Sequence, residues 1–131
     1  DKEVVGGSGH EAPFVFQWKD QWWLIVDGYG KGLRVYKSPN GIDGWVYNAT
    51  VLSAKDGRRN LDKSAGYHPG IVVQGDQCVL FYFTEFPNHH TYIQVTELQL
   101  GPDGKVFCDR NKYAPPATEP ATTPATLPAP K

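Results

Sequence analysis

Two titratable side chains in this 131-residue chain stand where chemistry could be done. Glu11 comes directly before "APFVFQW" and His68 directly before "PGIVVQ", so each ionisable group opens an otherwise apolar run. A carboxylate and an imidazole that share a cavity could pass a proton or hydrogen-bond a hydroxylated ligand. The other candidates carry less. His89 and His90 are adjacent, and adjacent strand residues point to opposite faces, so such a pair seldom holds one ion. "GYGKG" (28–32) lacks the Gly-Lys-Ser/Thr ending of a phosphate loop. Arg58-Arg59 reads as a solvated loop pair able to reach a sugar hydroxyl or a uronate, and Ser38 and Ser64 read as turn residues. No Ser/His/Asp or Cys/His constellation can be argued from order alone.

The elements that must position Glu11 and His68 come in two copies. Residues 11–27, "EAPFVFQWKDQWWLIVD", lie over residues 68–84, "HPGIVVQGDQCVLFYFT", without a gap, so Glu11 superposes on His68. Each copy is a pair of β-rich runs around a tight polar turn, Lys19-Asp20 in one and Asp76-Gln77 in the other. "GLRVYKS" (32–38) and "TYIQVTELQL" (91–100) alternate as a half-buried third strand does. "GWVYN" (44–48) and "GKVFC" (104–108) follow turn-forming residues and read as a short fourth strand. No segment has a helical period.

Two four-stranded antiparallel meanders in tandem are the repeat of a β-propeller. The fold class expected is therefore all-β, two blades of an incomplete propeller ring, about 11–48 and about 68–108, within a domain of residues 1–112. "FVF" and "IVV" are continuous apolar runs, which predicts neighbours on both faces of those first strands. The competing architecture is a β-sandwich of about eight strands. Because propellers close with about four to eight blades, the chain is a piece of a longer protein, assembles with copies of itself, or forms an open two-blade stack. In a blade the first strand lines the central axis, which places Glu11 and His68 at the mouth of a funnel.

Composition bounds the partners. A formal charge of −1 gives no reason to expect nucleic acid or an anionic membrane. No apolar run approaches the length that crosses a bilayer. The start, "DKEVVGGSGH", lacks the Met and apolar segment of a signal peptide and reads as trimmed. Cys78 and Cys108 fit no zinc spacing; they are either buried free thiols or one disulfide. Residues 113–131, "YAPPATEPATTPATLPAPK", have almost nothing to bury and are expected to be a disordered tail or linker. "NAT" at 48–50 would be a glycosylation acceptor in a secreted protein, and an extracellular or periplasmic place is expected.

"HEAPFVFQWKDQWWLIVD", followed by "GLRVYKS" and a Trp-bearing turn, resembles the general-acid segment of glycoside hydrolase family 43 and its five-bladed propeller relatives. "GYHPGIVVQGDQCVLFYFTEFP" is similar to the next blade of a bacterial subgroup, in which a His precedes "VVVQGD" and an "FYFTHP"-like strand end. The resemblance covers about residues 5–112. It implies cleavage of O-glycosidic bonds in plant or bacterial polysaccharides, with Glu11 as general acid. It places His68, Asp27, Trp22 and Asp62 around the substrate, Asp62 on a loop where Leu61 replaces one of two adjacent acidic residues of the relatives. Of Trp22 and Trp23 it implies that one is packing. Thr84-Glu85-Phe86-Pro87 departs from the relatives' "THP".

The resemblance also implies that the base Asp comes from other blades, so the isolated chain would lack it. It implies no organic cofactor and leaves room for a bound Ca²⁺ near the axis, with His68 beside the substrate or that ion. Desolvation among aromatics is expected to raise the Glu11 pKa. The alternative function is a non-catalytic, lectin-like sugar-binding module formed by oligomerisation.

Overall fold

The computed structural model describes residues 3–7 and 9–116, the side chain of Asn88 excepted. Eight strands follow in order: β1 Glu11–Trp18, β2 Gln21–Asp27, β3 Leu33–Ser38, β4 Val46–Val51, β5 Tyr67–Gln74, β6 Gln77–Glu85, β7 Thr91–Leu100 and β8 Val106–Cys108. They form two antiparallel meanders, β1-β2-β3-β4 and β5-β6-β7-β8. Among the described residues the only helical turn is the 3₁₀ segment Pro87–His89. The architecture is all-β and two-bladed, as expected from the repeat.

Each hairpin follows from its turn residues. Lys19 and Asp20 both take positive φ, 52° and 56°, the backbone that a tight two-residue hairpin turn requires. In the second blade the turn is Gly75-Asp76, one residue earlier than the gapless repeat predicts, because Gly75 supplies the positive φ of 58°. That shift corrects the superposition. Strand starts, turns and bulges repeat at a spacing of 56 residues (11 to 67), so the structural equivalent of Glu11 is Tyr67, and His68 matches Ala12.

A one-residue offset exchanges the two faces of a strand, and this chain uses both faces. Phe16, Trp18, Trp23, Ile25, Leu33 and Val35 of the first blade pack on Ile71, Cys78, Leu80, Tyr82, Leu98 and Val106 of the second. Polar bonds stitch the same interface. Trp18 Nε1 donates to Asp76 O at 2.8 Å, and Asn48 donates to Gly104 O at 2.9 Å while accepting from Val106 N at 2.8 Å. β4 runs to Val51, beyond the end expected at residue 48, so Asn48 is a buried strand residue and the sequon is not a surface loop.

The expectation of cover on both faces of the first strands does not hold. Phe14 is 37%, Val15 47%, Val72 52% and Val73 37% exposed, because each blade here has one neighbour. Leu24, Val26 and Tyr36 on the outer side of the first blade are covered by Val5 and Trp45. Cys78 and Cys108 are free thiols, which burial pushes up to about 12 and about 11. At the end of the second blade, Lys112 and Tyr113 both donate to Glu97. Most of the Pro/Thr-rich tail, residues 117–131, lies outside the described residues.

Candidate functional site

Glu11 and His68 meet across the two blades. His68 Nε2 lies 3.1 Å from Glu11 Oε2, with side chains 49% and 43% exposed. Each is placed by a bulge. Between Glu11 and Phe14 the β1–β2 register slips, and Ala12 takes φ 45°; between Tyr67 and Gly70 the β5–β6 register slips, and His68 takes φ 41°. A positive φ at a non-glycine residue is held only by its surroundings, and bulges re-aim side chains at sheet edges and sites.

What holds the second bulge is Asp27. It pairs with Glu11 across the hairpin and is 1% exposed. Its Oδ2 accepts the backbone N–H of His68 at 3.0 Å, and its Oδ1 accepts the N–H of Tyr29 at 2.8 Å. Both oxygens are thus engaged by backbone donors, one from each blade. Asp27 stands beside the pair expected to meet substrate, but behind it. The His68 ring is further fixed edge-on against Phe83, centroids 5.0 Å apart, and Phe83 stacks on Tyr67 at 5.2 Å.

Tyr29 is the residue the sequence reading missed. Its hydroxyl donates to Glu11 Oε1. The signal was available: Tyr29 follows Asp27 by two residues in the β2–β3 turn, and hairpin geometry puts that turn at the Glu11 end. Tyr29 and then His68 hold the Glu11 carboxyl below its ordinary value of 4.5. This reverses the expected direction. Donors aimed at a half-exposed carboxylate favour its charged form, and burial here is too slight to oppose them.

The remaining expected site residues lie elsewhere. Trp22 sits on the opposite face of β2 from Asp27 and at its turn end, roughly 17 Å away at about 3.4 Å per residue. There its ring covers Gly41, whose φ of 75° and lack of a Cβ permit the contact (an added Cβ would lie 2.7 Å from Trp22). Trp23 is the packing member of the pair, 2% exposed.

Asp62 is wholly buried. It accepts from Arg59 at 3.1 Å and Tyr82 Oη at 2.9 Å, and its other oxygen lies 3.3 Å from Arg110 Nε. Arg110 also donates to Ala54 O and to Ser64 O, so the network clamps the linker between the blades. Gly57 in that linker lies so close to Asp62 that a Cβ would fall 2.0 Å from its carbonyl oxygen. Arg59 is accordingly not the solvated loop residue expected, being bonded to Asp62, Tyr82, Val95 O and Arg110 O.

The ligand atoms of Glu11, Asp27 and His68 all lie within 4.8 Å of one another. That donor set does not fit Ca²⁺ as a protein cage. Calcium takes about 6–8 oxygen ligands, whereas here there are two carboxylates and one nitrogen, and both Asp27 oxygens already accept backbone N–H groups.

The fold matches solved structures of carbohydrate-active enzymes. Endo-1,5-alpha-L-arabinanase from Thermotoga petrophila aligns with a TM-score of 0.69 at 18% identity, over 82% of this chain and 32% of that one. A thermostable family-43 glycoside hydrolase aligns with a TM-score of 0.58 at 15% identity, over 79% and 41%. The family-43 endo-arabinanase from Bacillus licheniformis gives 0.53 at 18% identity, over 79% and 37%. No family model and no curated protein matches by sequence. The chain therefore has a family-43-like fold, and it spans about a third to two fifths of the length of these structures.

Proposed function

We propose that the chain is the acid-bearing portion of a glycoside hydrolase, with Glu11 as the group that protonates the departing glycosidic oxygen. The observation that carries this reading is the meeting of Glu11 and His68 at 3.1 Å from two blades of a fold shared with family-43 enzymes. Cleavage needs such an acid and a second carboxylate that activates water or attacks the sugar. His68 and Tyr29 position the Glu11 carboxyl, and Asp27 holds the backbone of both. In the two blades alone Glu11 is ionised at neutral pH. Acid function therefore requires further cover over the Glu11 face, from other blades or from substrate, to desolvate it. An extracellular or periplasmic location belongs to the same proposal, since a polysaccharide substrate would be met there.

The isolated chain is expected to turn over little or no substrate, since the second carboxylate must be supplied by other blades. The test assays aryl glycosides with the chain alone and mixed with the complementary blades of a family-43 relative. In the active mixture Glu11→Gln is expected to lower kcat by about 10²–10⁴-fold on a poor leaving group, and far less on a dinitrophenyl glycoside that needs no proton. Turnover in the mixture that is indifferent to Glu11→Gln overturns the acid assignment. Turnover by the chain alone would show that no second carboxylate is needed from elsewhere.

One observation favours a second reading. An ionised Glu11 that accepts from Tyr29 and His68 is suited to hold sugar hydroxyls without proton transfer. A lectin-like module would bind neutral oligosaccharides, lose them on Glu11→Gln, and stay inert in every mixture.

A further inference from the structure

Away from the Glu11–His68 pair, the described residues form a concave place on the flank of the second blade. It is a groove of about 710 Å³, within the range of about 300–1,000 Å³ usual for ligand clefts. The linker contributes Arg58, Arg59 and Lys63, while Leu61, Pro115 and Pro116 give it an apolar wall. Among the described residues no carboxylate lines it. Arg59 pairs with Asp62; among the described residues the other two cations pair with no carboxylate. Arg58 is exposed and its guanidinium donates to Asn111 O, and exposed Lys63 donates to Gly57 O. Both bonds are to carbonyl oxygens rather than to carboxylates.

The groove is also held in shape. Leu61 O accepts from Gln94 Nε2 at 2.9 Å and from Thr84 Oγ1, and Ser64 Oγ accepts from Glu85 N at 3.0 Å. The Gln94 bond ties the linker to β7, and the Thr84 and Glu85 bonds tie it to the end of β6 that carries Phe83, the ring against His68. Groove and candidate site thus lie at the same end of the second blade.

We propose that this groove binds the carboxylates of an acidic polysaccharide, a chain of uronic acid residues, at the same end of the second blade as the Glu11–His68 site. Two uncompensated cations recognise the carboxylates, and the Leu61–Pro115–Pro116 wall takes the apolar faces of the sugar rings. An inorganic anion would use the charges but not the wall, which is why a sugar acid fits better. The proposal rests on the carbohydrate reading above for the nature of the polymer, yet the two are separable by where a ligand lands.

The test is a titration of the ¹⁵N-labelled chain with trigalacturonate, its fully methyl-esterified form, a neutral oligosaccharide and inorganic phosphate. Trigalacturonate is expected to shift the amides of Asn60 and Leu61. The ester, identical but uncharged, should bind about tenfold more weakly or worse, as should trigalacturonate to the Arg58→Gln, Lys63→Gln double variant. That is the size of two exposed ion pairs. Both substitutions are at exposed positions, and an unchanged Tm verifies the fold. Equal binding of the ester, equal binding by the double variant, or phosphate binding as tightly as trigalacturonate would each overturn the proposal. Shifts at Glu11 and His68 with the neutral sugar bear only on the catalytic or lectin reading, so either idea can fail alone.

Discussion

Glu11 is kept ionised by its neighbours, and that sets what it can do. The Tyr29 hydroxyl is the largest influence on its carboxyl and the His68 imidazole the next. Tyr29→Phe should therefore move the Glu11 pKa up toward 4.5, read by ¹³C carboxyl NMR across pH 2–7; an unmoved value would deny the Tyr29 bond. A second carboxyl is also held low. Lys112, then Tyr113, then Gln77 keep the Glu97 carboxyl down at about 2. A depressed folded-state pKa adds stability that is present above the ordinary value and lost as pH falls through the folded one. Thermal stability should thus fall between about pH 5 and about pH 2, and Glu97→Gln should flatten that limb. A parallel acid limb in the variant would assign the loss to other carboxylates.

At the scale of strands and turns, two bulges carry the site and one buried carboxylate holds them together. Asp27→Asn keeps the shape but turns one acceptor into a donor facing the N–H of His68 or Tyr29. The loss should be about 1–3 kcal/mol in denaturant unfolding, with faster amide exchange at His68. Unchanged exchange would mean that the bulge is held by other contacts. These details also mark what the sequence could and could not tell. Hairpins, turns and the duplication were legible because strand alternation and turn residues are local signals. The spacing was misjudged by one residue because Gly75 starts the second turn early, which pairing alone reveals. The convergence of Glu11 and His68 survived that error for a geometric reason. Neighbouring blades meet through opposite faces, so contacting residues are offset from equivalent ones. Trp22, placed near the substrate by resemblance, stands five residues from Asp27 and so on the other face of β2, and the Asp62 clamp was hidden because its partners Tyr82 and Arg110 are distant in sequence.

For the molecule as a whole, one apolar interface joins the blades, and among the described residues the outer side of the second blade keeps an exposed apolar face. Leu80 is fully buried between the blades, against side chains of both. Leu80→Ala should cost about 2–5 kcal/mol, and both blades should lose their protection in a single transition by hydrogen exchange. Separate transitions would mean that each meander is stable alone. The outer side of the second blade is different, with Val72 52%, Phe81 40%, Ile93 73% and Phe107 47% exposed. Contiguous apolar surface of this kind drives association. A further blade would cover it in a longer protein, and in this chain by itself a second copy is the available cover. Light scattering after size exclusion should give a mass that rises with concentration, and Phe81→Lys with Ile93→Lys should return it to the monomer. A concentration-independent monomer of the unaltered chain would show that two blades are soluble with that face bare, and that ring closure is not required for a stable fold.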